Sequence, residues 1–232
     1  MNKIVLTIED SNPSCVHVEM HEKSNGFIKV TKKRVALCDY LLILQKSVSN
    51  IGFRIGKLPS GFYDGFLDSD GLGFKCIIVI PKGVKPLIYY DAIYNIPFPT
   101  MVWNFTVRCN ELKKSQVFVA KTDDIKDNTK LFKYPFGNVY DDGRICWGGN
   151  LNKEIRTIRE VEKVISTFFG SSTNDDLWKV GTKISLPTSN DSRCLQRGLI
   201  ESLVGEEIFP NEILVPTEYN VGKLLELKPI QR

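Results

Sequence analysis

Two stretches near the N-terminus alternate apolar and polar side chains with a period of two, the signature of half-buried strands. Residues 2–8 and 15–20 carry this pattern, and the turn cluster "DSNPS" separates them. They predict an N-terminal hairpin, with a third strand at Phe27–Val30 after "KSNG". Thr31 then stands as the cap of a predicted helix through Val48, whose apolar residues crowd too closely for an exposed face. A short strand is expected at Phe53–Lys57, followed by a surface loop over "LPSGFYDGFLDSDGLG". Its closing "DSDGLG" resembles the start of a calcium loop but lacks the later Asp or Asn and the terminal Glu.

From residue 72 to 121 the pattern predicts an antiparallel meander. "FKCIIVIP" is its clearest strand, and "PLIYYDAIYNIPFP" adds a further extended piece. "TMVWNFTVRC" and "SQVFVAKT" pair through the connection "NELKK". The period then changes to that of a helix over Lys153–Phe169. Ile155, Ile158, Val161, Val164, Ile165, Phe168 and Phe169 share one face, with Asn150 or Asn152 as cap and Gly170 as stop. A shorter helix is expected over Ser192–Leu203, and the tail from Pro210 reads as a strand or an edge helix. This order predicts an α+β fold: an antiparallel sheet meander with helices on one face. Residues 1–60 form an N-terminal hairpin-and-helix extension to a core at 61–232.

Composition narrows the function classes. The chain has 232 residues, 31 Lys and Arg against 27 Asp and Glu, and a net charge of +4. Its short basic runs, Lys32-Lys33-Arg34 and Lys113-Lys114, read as solvated element ends, so nucleic acid is not the expected partner. No apolar run approaches a membrane span, and the N-terminus lacks the pattern of a signal peptide. A cytoplasmic, reduced setting is expected. The six cysteines are widely and irregularly spaced, without a Cys-x-x-Cys pair, which argues against zinc. His17 and His21 in "HVEMH" lie about 13 Å apart on a strand, too far to share one ion. Neither a metal nor a cofactor is expected.

Five cysteines stand in apolar or helix-like contexts, where a buried, inert thiol is expected. Cys146 differs. It sits in "PFGNVYDDGRICWGG", a stretch rich in Gly, Asp and Asn. Either it is a small apolar side chain under a turn, or the loop presents it as a nucleophile. Exchange between thioesters needs no strong base, because one thiol displaces another at nearly equal energy. With the two histidines far away in the N-terminal hairpin, such exchange suits Cys146 better than amide hydrolysis.

Asn138 precedes Cys146 by eight residues, and "NVYDDGRIC" spans the interval. This resembles the active-site signature of ubiquitin-conjugating enzymes: His-Pro-Asn, a short aromatic-containing turn ending in Gly, then Ile-Cys. The "PFPTMVWNF" segment also resembles the Pro-rich approach to that family's third strand. The overall pattern is most similar to the divergent prokaryotic family D, a branch that includes protein B of the PRTRC gene system. Bacterial ubiquitin-like conjugation operons, including antiviral defence operons, are its setting.

The resemblance implies that Cys146 accepts a ubiquitin-like protein as a thioester from an adenylating activating enzyme. It would then pass it to a lysine or other amine of a target protein. Asn138 would orient the loop or stabilise an oxyanion, and Gly143 would permit the tight turn. Asp141 and Asp142 would assist the incoming amine. Phe136 and Gly137 stand where the family has its histidine and proline, and Trp147-Gly148-Gly149 replaces its Leu-Asp. That departure keeps two alternatives open: an inactive variant that binds ubiquitin-like proteins, or an unrelated α+β scaffold.

Overall fold

A computed structural model describes residues 3–9, 12–24, 27–41, 56–68, 70–149, 151, 154–185 and 195–225. The chain divides into two units, Met1–Arg54 and Ile55–Arg232. In the first, β1 (Lys3–Glu9), β2 (Asn12–Ser24) and β3 (Phe27–Ala36) form an antiparallel sheet in chain order. The hairpin and third strand are as expected, but β3 runs on through Thr31. Thr31 pairs with Met20 and Ala36 with Cys15, so Thr31 caps no helix. The β-branched Val30, Thr31 and Val35 suit a strand, and β2 is long enough to pair all of it. Helix begins only at residue 37, and the remainder of the predicted helix, with residues 53–55, lies outside the described residues.

The second unit is built on a six-stranded sheet in the order β11-β10-β9-β8-β5-β4. Its members are β4 (Phe62–Leu67), β5 (Gly73–Ile80), β8 (Thr100–Arg108), β9 (Glu111–Ala120), β10 (Lys130–Lys133) and β11 (Pro216–Asn220). The middle of the expected loop is therefore the edge strand β4. Aromatic Phe62, Tyr63 and Phe66 favour that state over the surrounding Gly and Asp. Between β5 and β8, the segment expected as one extended piece folds into a separate hairpin, β6 (Gly83–Tyr89) and β7 (Ala92–Phe98). The connection "NELKK" is mostly strand. The turn is only Cys109-Asn110, both left-handed at φ 53° and 59°, as a two-residue hairpin turn requires.

Continuous apolar runs in β5, β8 and β9 reflect a sheet covered on both faces. Cys76, Ile78, Met101, Trp103, Phe105, Val117 and Val119 enter the larger core, and Ile77, Val102, Phe118 and Ala120 the smaller. Alternate residues thus serve opposite faces. α1 (Val161–Phe169) and α2 (Gln196–Leu203) bury their apolar faces in the larger core. Phe168 meets Trp103 edge-on at 5.1 Å. The short α3 (Val221–Leu225) packs in the smaller core through Val221 and Leu224, so the tail supplies both a strand and a helix.

α1 starts later than expected, after a 3-10 turn at Ile158–Glu160. Thr157 is its cap, with its amide donating to Glu160 Oε2 at 3.2 Å. Asn150 and Asn152 lie outside the described residues. Gly170 ends the helix, its amide donating to the Ser166 carbonyl at 3.0 Å.

Candidate active site

After β10 the chain leaves the sheet and makes a small hairpin over residues 139–145. Val139 faces Ile145, and the Tyr140 amide donates to the Arg144 carbonyl at 2.8 Å. The returning arm docks on β9. Val117 donates to the Gly143 carbonyl at 2.9 Å, and Ile145 donates to the Ser115 carbonyl at 3.2 Å. Cys146 follows directly, so the cysteine is carried on a segment registered against a buried strand. Its own amide donates to the Asn138 carbonyl at 2.8 Å.

Each expected loop residue has a definite place. Phe136 is fully buried and packs against Phe98 at 5.1 Å, Tyr134 at 5.7 Å and Phe209 at 6.2 Å. It anchors the loop through apolar contact alone. A Cβ on Gly137 would collide with the Asn174 carbonyl and the Thr173 hydroxyl, and the Gly137 amide donates to Gln196 Oε1. Gln196 also donates to the Asn174 carbonyl at 2.8 Å, which ties the loop to the segment after α1. Gly143 is left-handed at φ 82° and lies on the Phe118 ring, where no side chain fits.

Asn138 is left-handed as well, at φ 61°. Its carboxamide donates to the Ser172 carbonyl at 2.7 Å. That bond ties the loop to the segment after α1. Asp142 is clamped by Arg144, whose Nε lies at 2.6 Å and whose amide lies at 3.1 Å. Burial pushes the Asp142 carboxyl up, but the Arg144 amide and guanidinium outweigh it and hold it below its usual range. Asp141 lies 3.3 Å from Lys133 and 3.7 Å from Lys183.

Cys146 is half-buried and opens on a groove of about 570 Å³. The groove is lined by Asn138, Trp147 and Gly148 on one side and by residues of α1 and the segment 170–177 on the other. Asp141 and Asp142 are not among its lining residues, but Asn174 and Asp176 are. Asn174 Nδ2 donates to Asp176 Oδ2 at 3.0 Å. The sequence shows "SSTNDD" only as a polar turn after Gly170, and nothing in its pattern ties it to Cys146.

Trp147 braces the far side, with its indole donating to Ser115 Oγ at 2.9 Å and its ring edge-on to Phe168. Gly148 and Gly149 are left-handed and exposed, with open space where a side chain would stand. The neighbouring Cys146 thiol pushes the Tyr140 phenol above its ordinary range.

The other described cysteines differ from one another. Cys76 is buried and its thiol is pushed up to about 12 by burial. Cys38 and Cys109 are exposed, contrary to expectation, because Cys109 occupies a hairpin turn and Cys38 the start of a helix. Cys194 lies outside the described residues.

Among the described residues no helix is long and apolar enough to cross a membrane. Neither a curated protein nor a solved structure matches the chain. The model of one family, prokaryotic E2 family D, matches residues 86–217. That span runs from within β6 to the start of β11 and includes β7, the Asn138–Cys146 loop and both sides of the groove. With more than half of its length matched, the chain belongs to prokaryotic E2 family D, a family of E2-like proteins of the ubiquitin-like conjugation type.

Proposed function

We propose that Cys146 carries a ubiquitin-like protein as a thioester, received from an activating enzyme and transferred to an amine of a target protein. The observation that supports this most directly is the placement of Cys146. Its backbone is fixed by Asn138 and β9, while its side chain lines a groove large enough for an extended chain terminus. In loading, the Cys146 thiolate attacks the carbonyl of the incoming thioester, and the thiolate of the activating enzyme leaves. In transfer, an amine attacks the Cys146 thioester, the C–S bond breaks and the Cys146 thiolate leaves. The proton that the amine loses passes to the departing thiolate or to water.

In this reading Asp176, on the groove wall, attracts and orients the amine. Asn138 holds the loop, as its bond to Ser172 suggests. Asp141 and Asp142, engaged with Lys133, Lys183 and Arg144, shape the loop rather than meet the substrate. Phe136 replaces the motif histidine with apolar packing, so that substitution by itself does not argue for inactivity.

The test combines the chain with its activating enzyme, ubiquitin-like protein and ATP. A reductant-sensitive adduct is expected on a non-reducing gel. Cys146→Ser should give a reductant-stable oxyester, and Cys146→Ala no adduct. An adduct that persists in Cys146→Ala excludes this reading. Binding of the ubiquitin-like protein without any adduct would instead identify an inactive binding module.

A further inference from the structure

We propose that Lys183 is a positioning residue for the cysteine loop, its ammonium pinning the Val139 carbonyl from within the protein. The consequence for transfer rests on the thioester reading of Cys146, whereas the positioning itself rests on geometry.

Lys183 is only 1% exposed. A lysine is almost never buried to that degree without a partner, because removing an ammonium from water costs several kcal/mol. Its Nζ donates to the Val139 carbonyl. Val139 follows Asn138 directly and faces Ile145 across the small hairpin. One charge-assisted hydrogen bond therefore holds the outgoing arm of the loop, and the returning arm delivers Cys146.

The lysine is itself delivered from a braced turn. Its amide donates to the Lys179 carbonyl at 2.9 Å, Gly181 donates to Ile184 at 2.8 Å, and Ser185 donates to Ile213 at 2.7 Å. The charged groups around it are Asp141 and Asp142 from the loop and Lys133 from β10. Asp141 forms an ion pair with each of the two lysines.

A purely stabilising role does not fit this arrangement. Lys183→Met relieves the desolvation of a buried ammonium, which offsets part of the cost of taking one partner from a buried polar pair, and the rest of that cost falls on the loop groups left behind. The replacement would nevertheless leave the Val139 carbonyl unpinned. Stability and loop order are therefore expected to separate.

Amide hydrogen exchange on the full chain reads this separation. In Lys183→Met, the amides of Tyr140 and Cys146, which close the loop onto Arg144 and Asn138, are expected to exchange at least tenfold faster. Amides of β8 should keep their rates. Lys183→Arg, which retains a charged donor, should recover part of the loop protection. Lys183→Gln, neutral and shorter, should loosen the same two amides and serves if Lys183→Met does not fold. Adduct formation should slow at least fivefold in step with loop exchange.

Unchanged exchange at Tyr140 and Cys146 in the neutral variants would overturn the proposal. So would equal acceleration of loop and β8 amides, which would make Lys183 merely part of the fold. Failure of the unmutated chain to form an adduct would overturn the thioester reading alone, since the exchange data judge Lys183 without it.

Discussion

The Cys146 amide donates to the Asn138 carbonyl at 2.8 Å, and the Asn138 carboxamide donates onward to Ser172 at 2.7 Å. Asn138 thus joins the cysteine to the opposite wall of the groove, using its main chain for one and its side chain for the other. The left-handed backbone at φ 61° makes this possible, and asparagine adopts that conformation more readily than most residues.

Two substitutions separate these contributions. Asn138→Gly keeps the backbone conformation but loses the tie to Ser172, and should melt within a few degrees of the unmutated chain while forming adduct more slowly. Asn138→Ala loses the tie and adds left-handed strain of about 1–2 kcal/mol. Thermal unfolding followed by adduct kinetics should therefore rank Ala below Gly in stability. The reverse order would remove the backbone from the explanation.

Gly143→Ala is expected to be more damaging. Its φ of 82° disfavours any side chain, and the new methyl would press into the Phe118 ring of the smaller core. A loss of about 2–4 kcal/mol follows from strain and overpacking together. Urea unfolding should show a lower midpoint, and a variant as stable as the parent would contradict this packing.

Phe136→His would restore the residue that the conjugating-enzyme motif has at this place, yet it should not improve transfer. The ring is fully buried among Phe98, Tyr134 and Phe209, whose single polar group is the Tyr134 hydroxyl, so at least one imidazole nitrogen would find no partner among them. An unsatisfied buried polar group costs about 1–3 kcal/mol. Phe136→Ala should cost about 3–5 kcal/mol through the cavity it leaves. A stable, faster His variant would show that the loop retains a use for the histidine.

Lys183 gives the fold a pH dependence of predictable sign. Burial, the largest influence, pushes its pKa down to about 8; Asp141 pulls it back up, and Lys133 adds to the depression. Between pH 8 and the ordinary lysine value near 10.5, the unfolded chain binds a proton that the folded chain has released. Stability from this residue therefore rises with pH through that window, and the burial penalty is complete below it. At about 1.36 kcal/mol per pH unit, the gain is bounded at about 3 kcal/mol. Urea titrations at pH 7, 8.5 and 10 should show the unmutated chain gaining stability relative to Lys183→Met. A difference independent of pH would mean that Lys183 titrates normally.

Periodicity made the β5, β8 and β9 strands legible, because their alternate residues must fill two cores. The same rule failed at Thr31, where a good capping residue stands inside a strand long enough to pair with β2. It failed again at β6–β7, since nothing in an extended apolar segment says whether it joins the main sheet or folds on itself. Cys146, Asn138 and Gly143 were visible because their spacing is local. Asp176, Gln196 and Lys183 were not, because each comes to the site from a distant stretch of chain: Asp176 lines the groove from the far wall, Gln196 bonds to Gly137 across 59 positions and Lys183 to Val139 across 44.

Those separations also set an order of events. As a ribosome releases the chain, Cys146 emerges well ahead of Ser172, Lys183 and Gln196, which hold its loop. The thiol thus exists for a time on an untethered segment, and the geometry of the groove arrives only when the later anchors fold back. A nascent chain stopped between Trp147 and Gln196 would carry the reactive atom without its setting, so competence for transfer should coincide with near-complete synthesis of this unit rather than with the appearance of its cysteine.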